Sequence, residues 1–241
     1  MRKAERLRLP GGREVVLGWG EVGREDGSAL SPLERAGLAR CRTDKRRREF
    51  VAGRLAAHRA LALLEPEAHA AVTVREDGPD AGRPFFSPGL GLALSISHSG
   101  ELAVAAVSRG GPRGVDLEQR VEASGAFLEE AFAPGELQGY LPVCTGHLDP
   151  VTAAWALKEA VLKVWGVGLR APLQKVALRP VLLQAMGDEL SLRVTLETWA
   201  LPPGLGEPPP ALAALLVAWP AGGLLALAGW PSPSANSRAR P

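Results

Sequence analysis

Hydrophobic spacing along the chain switches between two periods, and the switches mark out its elements. Residues 13–20, entered through Glu14-Val15-Val16-Leu17, read as a first strand. Ser31-Pro32-Leu33-Glu34 has the capping-box form, with Pro at the first helical position, so a helix should run to about Arg42. A second helix, from near Asp44 to about Leu64, turns Phe50, Leu55, Ala56 and Leu63 toward a core. From Ala71 the pattern becomes short strand-like runs at 71–75, 92–97, 102–107 and 114–117. These are separated by the turn residues Gly78-Pro79-Asp80, Ser87-Pro88-Gly89 and Gly110-Gly111-Pro112. Helical spacing returns from Ser124 to about Leu141. It returns again from Asp149-Pro150, a good cap and first position, to the glycines Gly166 and Gly168. Strands follow at 174–178 and 190–198, then a Pro-rich loop at 201–210 and a polar tail, 232–241, expected to be disordered.

Strands and helices thus occur twice, in halves 1–120 and 121–231. Consecutive strands after Ala71 lack helices between them, so the fold class is α+β and not a regular βαβ winding. Residues 211–230 carry no charge and could span a bilayer as one helix. Pro220, Gly222 and Gly223 split them into two strand-length runs, which predicts a buried β-hairpin and no membrane insertion.

Composition changes this picture little. The formal charge of +2 is too small for a duplex-binding surface, so nucleic acid is not the expected partner and any positive function must be local. Two cysteines, Cys41 and Cys144, are too few for a disulfide framework, and the basic N-terminus has no apolar stretch behind it, so a cytoplasmic location is expected.

Candidate chemistry lies in four places. Asp116 and Glu118 stand two apart on a predicted strand, which puts both carboxylates on one face about 7 Å apart. A hard divalent cation would relieve their repulsion, although a solvated strand face shows the same spacing. Trp155, Glu159 and Lys163 follow one another four apart on the long helix and share a face, beside Lys158. The segment Ser95-Ile96-Ser97-His98-Ser99-Gly100 offers hydroxyls, an imidazole and a turn that suit phosphate oxygens, or a hairpin capping its own backbone. Between Arg35 and Arg59 nine Arg or Lys residues face only Asp44 and Glu49, enough to hold a phosphate or to form a solvated face.

Taken in order, these segments resemble the surfactin-type 4′-phosphopantetheinyl transferases. Arg48-Glu49-Phe50-Val51-Ala52-Gly53-Arg54 is similar to that family's early arginine helix, and Gly82-Arg83-Pro84 to its Gly-Lys-Pro turn. Residues 94–100 are similar to its Ser-His-Ser segment, Gly114-Val115-Asp116-Leu117-Glu118 to its acidic strand, and 155–163 to its Trp-x-x-Lys-Glu-Ala-x-x-Lys helix. The resemblance covers residues from about 30 to 170. It implies two similar α+β halves related by a pseudo-twofold, with the active site between them. It implies Mg²⁺ on Asp116, Glu118 and Glu159, and coenzyme A held by Arg48, Arg54, Arg83, Ser97, His98, Lys158 and Lys163. Asp116, Glu159 and Lys163 would be catalytic, Glu159 as the base and Lys163 at the leaving phosphate. The acceptor would be the serine of an apo acyl or peptidyl carrier protein, one serving polyketide or nonribosomal peptide synthetases, and the enzyme a monomer. A noncatalytic coenzyme A-binding module and a Mg²⁺-dependent phosphohydrolase are the rival expectations. Arg83 replaces the more frequent lysine of that family, exchanging a point charge for a fork.

Overall fold

A computed structural model describes residues 3–78, 81–111, 113–144, 148–200, 209–219 and 223–231. The expected turn residues Pro79, Asp80 and Pro112, most of the Pro-rich loop, the hairpin tip with Pro220 and Gly222, and the tail lie outside the described residues. The elements are β1 (Ala4–Arg8), β2 (Glu14–Glu21), α1 (Pro32–Ala39), α2 (Asp44–Leu64), β3 (Ala71–Val74), β4 (Pro84–Ser87), β5 (Ala93–Ser99), β6 (Leu102–Ser108) and β7 (Arg113–Glu118). They continue with α3 (Gly125–Ala131), α4 (Pro150–Trp165), β8 (Val176–Met186), β9 (Glu189–Trp199), β10 (Ala211–Trp219) and β11 (Gly223–Gly229). The strands form one sheet ordered β1-β2-β6-β5, a second ordered β7-β11-β10-β9-β8, and the small pair β3-β4.

Strand alternation builds a four-layer stack, helix on sheet on sheet on helix. Val15, Leu17 and Trp19 of β2 and Val104 and Ala106 of β6 point one way. They share a core with Val115 and Leu117 of β7, Ala213 and Leu215 of β10, and Leu225 and Leu227 of β11. The intervening residues point outward. Val16, Ala105 and Val107 pack with Ala56, Ala57 and Ala60 of α2, while Leu212, Ala214, Leu224 and Ala226 pack with Ala153, Leu157 and Ala160 of α4. Period two on both sheets therefore produces three apolar layers from one pattern.

Each long helix lies directly on backbone. A Cβ built on Gly18 would sit 1.9 Å from the Ala56 carbonyl oxygen, and one on Gly114 would sit 1.8 Å from that of Ala160. Only glycine admits such an approach. Helix α4 begins at the Asp149 cap, whose carboxylate accepts the Thr152 N–H at 2.8 Å, with Pro150 next, and ends at Gly166 in the left-handed region with φ +74. Helix α1 has its capping box, and the same Glu34 also accepts the Val72 N–H and meets His58 Nε2, both at 2.8 Å, so three elements meet on one buried carboxylate. Burial would raise its pKa, but the bonds from His58, Val72 and Ser31 hold it down at about 2.

Three expectations are corrected. The helical stretch from Ser124 to Leu141 is a short helix, α3, and then turns, because Ala133-Pro134-Gly135 interrupts it. The strand expected at 174–178 runs on to Met186. The sequence reading also misses β1 and β4.

Candidate active site

The site forms where the two sheets meet edge to edge. β5 ends the first sheet and β7 the second, and serines at alternate positions of β5 join them in place of a backbone ladder. Ser95 Oγ accepts the Val115 N–H at 3.0 Å, Ser97 Oγ donates to Asp116 Oδ1 at 2.8 Å, and Ser99 Oγ accepts the Gln119 N–H at 3.2 Å. Period two puts all three hydroxyls on one face.

From β7, Asp116 and Glu118 project on the side away from Val115 and Leu117, toward α4, and the stripe Trp155, Glu159 and Lys163 on α4 comes back to meet them. Lys163 Nζ donates to Asp116 Oδ1 at 2.6 Å and to Ser97 Oγ at 3.0 Å, and lies 3.5 Å from Glu159 Oε2. Trp155 Nε1–H donates to Glu118 Oε1 at 3.0 Å. Three carboxylates thus face a single ammonium. Burial, and then the charges of Asp116 and Glu159, push Glu118 up to about 7 against the opposing pull of Trp155 and Lys163. Burial and Asp116 push Glu159 up to about 7 as well. Burial works to lower Lys163, but Asp116 and Glu159 outweigh it and hold the ammonium above its ordinary pKa.

Asp116 is 1% exposed, and its second oxygen, Oδ2, is buried without a hydrogen-bond partner. Among the described residues no group of three His, Cys, Asp or Glu side chains stands as a ready-made coordination cluster. What the donors do offer is carboxylate oxygen in excess of positive charge, with one oxygen unsatisfied, and that set fits a hard divalent cation.

On the far side of His98 opens a cleft of about 660 Å³, lined by Arg40, Arg42, Arg46, Phe50, Arg54 and His98 among others. Arg46, Phe50 and Arg54 are four apart along α2 and share a face. The Arg54 guanidinium lies 3.8 Å from the Phe50 ring centroid, and burial, with Arg46 adding to it, lowers its pKa to about 10. Arg46 Nη1 lies 2.9 Å from His98 Nε2, and Glu49 Oε2 lies 3.5 Å from the same nitrogen. Burial lowers the His98 pKa, Glu49 opposes this, and Arg46 and Lys163 reinforce it. A smaller recess of about 240 Å³ on the other side of Ile96 is lined by Gly82, Arg83, Lys163 and Arg170 among others. Arg170 closes its rim by donating to the Ala81 carbonyl at 2.8 Å.

Of the residues singled out in the sequence, Asp116, Glu118, Glu159, Lys163 and Ser97 come together, Arg54 and His98 line the large cleft, and Arg83 lines the recess. Three placements are corrections. Lys158 faces the opposite side of α4, its side chain wholly enclosed. Nζ donates there to Glu136 Oε2 and the Ala131 carbonyl, both at 2.7 Å, and to the Leu173 carbonyl at 3.1 Å. Lys158 stands next to Glu159 but three positions from Trp155, so helical spacing alone does not exclude it from the stripe, and its buried partners decide the side it takes. Arg48 is exposed beside Gly23 and does not line the cleft, whereas Arg46 does; the 46/50/54 spacing could have found it. Ser97 has its hydroxyl engaged by Asp116 and Lys163, so it belongs to the ion cluster and not to the arginine cleft.

Two family profiles match adjoining stretches of the chain. The 4′-phosphopantetheinyl transferase N-terminal domain matches residues 34–108, and the 4′-phosphopantetheinyl transferase superfamily matches residues 112–194. The chain is also 39% identical over 46 residues to the holo-[acyl-carrier-protein] synthase of Roseiflexus sp. (strain RS-1), a match covering 19% of this chain and 30% of that protein. That likeness therefore spans less than a third of the curated relative's length. The two profiles meet just before β7, so the seam they abut is the one that carries Ser97, Asp116 and Lys163, and the chain belongs to the 4′-phosphopantetheinyl transferase superfamily.

Proposed function

We propose that the protein is a surfactin-type holo-[carrier-protein] synthase. It moves 4′-phosphopantetheine from coenzyme A to a serine of an apo acyl or peptidyl carrier protein, with Mg²⁺, and releases adenosine 3′,5′-bisphosphate. The observation that carries this reading is the α4 stripe of Glu159 and Lys163 set against Asp116 and Glu118 of β7, next to an arginine-lined cleft.

Asp116, Glu118 and Glu159 would hold the Mg²⁺, which supplies neutralisation of the acids and polarisation of a diphosphate oxygen. The cleft at Arg46, Arg54 and His98 suits the 3′-phosphate, and Arg83 across the recess suits the diphosphate. Glu159 accepts the proton of the carrier serine hydroxyl, with the Lys163 ammonium 3.5 Å from its Oε2. As the serine oxygen bonds to phosphorus, the bond to the adenosine bisphosphate oxygen breaks. Lys163, kept charged by its acids, hydrogen-bonds the departing oxygen.

The two halves are read as related by a pseudo-twofold that divides them before β7 and not at residue 120, because β7 pairs with β11 and its Gly114 lies against Ala160 as Gly18 of β2 lies against Ala56. One chain then supplies both walls of the site, which suits a monomer. Two free cysteines suit a cytoplasmic location, and among the described residues no helix is long and apolar enough to cross a membrane. Service to polyketide or nonribosomal peptide synthetases follows from the surfactin-type reading. The test is to incubate the protein with coenzyme A, MgCl₂ and an apo carrier protein and to weigh the carrier. A gain of one phosphopantetheine is expected. Coenzyme A breakdown with an unmodified carrier would establish a phosphohydrolase instead.

A further inference from the structure

Trp155 is the member of the α4 stripe that the proposed chemistry leaves without a part. Its indole N–H donates to a carboxylate of the ion cluster, Glu118 Oε1 at 3.0 Å. The ring is itself held from behind. Phe127 meets it edge-on at 5.0 Å between centroids with an interplanar angle of 68°, and Phe132 meets Phe127 at 6.2 Å and 85°. One turn earlier on α4, Thr152 Oγ accepts the Val121 N–H at 3.0 Å while donating to the Asp149 cap at 2.7 Å. Two side-chain bonds therefore pin the chain leaving β7 to the first two turns of α4.

Glu118 ends its strand and has three rotatable side-chain bonds, so burial alone does not set its direction. The like charges of Asp116 and Glu159 would drive it outward. Fixing one of its oxygens to a rigid donor leaves the other oxygen directed by the same bond.

We propose that Trp155 is a positioning residue, holding one oxygen of Glu118 so that the other is presented to a divalent cation shared with Asp116 and Glu159. This rests on the metal assignment proposed above. Groups that orient a ligand in this way typically change metal affinity tenfold or more when removed.

Trp155→Phe keeps a ring against Phe127 and deletes the donor together with the fused second ring. Mn²⁺ binding to the full chain, followed by electron paramagnetic resonance without coenzyme A, should weaken about tenfold in this variant. The unfolding midpoint should stay within about 2 °C of wild type. Trp155→His, which retains an N–H, should recover part of the affinity, and adding Trp155→Phe to Glu118→Gln should cost little more than Glu118→Gln alone. Mn²⁺ affinity equal to wild type in Trp155→Phe overturns the positioning role and leaves the metal site standing. So does a loss of affinity matched by an equal loss of stability and not relieved by His, because that marks packing. A wild-type chain that binds no Mn²⁺ overturns the metal assignment itself, and the role of Trp155 with it.

Discussion

Lys158 and Glu159 are neighbours on one helix, yet they serve two buried charge clusters built on opposite plans. Around Lys158 the charges balance: its ammonium meets Glu136, and both side chains are wholly enclosed. Glu136 Oε1 also accepts the Leu178 N–H and Oε2 the Ala133 N–H, each at 3.0 Å, so neither oxygen lacks a partner. Around Glu159 three carboxylates share one ammonium, two are pushed up to about 7, and an Asp116 oxygen has no partner. Burial of charge is common to both clusters, and so it identifies neither. Imbalance separates them: the closed pair ties α4 to α3 and β8, while the open cluster keeps binding capacity for something from outside.

The largest expected effect breaks the open cluster. Asp116→Ala should lower transfer to carrier protein by at least about a thousandfold without lowering the unfolding midpoint. Unchanged turnover in the carrier mass assay would remove Asp116 from the site. Next comes the closed cluster. Lys158→Met leaves Glu136 buried and unpaired, which should cost about 3–5 kcal/mol in urea unfolding, with Glu136→Gln added to it recovering part of the loss. A Lys158→Met chain of wild-type stability that bound coenzyme A poorly would return Lys158 to the binding residues. A smaller effect distinguishes two arginines two positions apart. Arg46→Ala should raise the coenzyme A Kd about tenfold and Arg48→Ala less than about twofold, as calorimetric titration would measure.

The smallest effect is the pH dependence of stability, and here Glu34 joins the comparison. Because Glu118 and Glu159 sit near 7 in the fold against an ordinary 4.5, the native state keeps protons that the unfolded chain releases. Their contribution therefore falls as pH rises from about 4.5 to about 7. Glu34, held at about 2, works the other way, its contribution complete above about 4.5 and lost as pH falls toward about 2. The unfolding midpoint of the metal-free protein should decline between pH 5 and pH 7.5. Glu159→Gln should flatten that decline, and added Mg²⁺ should do the same. A midpoint that rises steadily over that range in wild type would contradict the site's electrostatics.

Much of this was legible where local rules decide. Caps and stops placed α4 to within a residue, since Asp149-Pro150 and Gly166 act through their own backbone geometry. The facing of Asp116 with Glu118 and of Glu159 with Lys163 followed from strand and helix periods alone. What escaped depends on partners outside the element itself. β1, Ala4–Arg8, carries three charges in five residues at a sheet edge and becomes a strand through its pairing with β2 across a short turn. The buried partner of Lys158 is 22 positions away in a turn, and the serines of β5 became a seam only once β7 lay alongside. Sequence spacing states which residues share a face, and tertiary packing decides what that face meets.

Gly114 carries that last point furthest. The separation of the acidic strand from α4 is set by main chain resting on main chain at Ala160, with no side chain interposed whose size could drift. The candidate site thus has a rigid hub, and one added methyl group at position 114 would reach every partner of α4 at once.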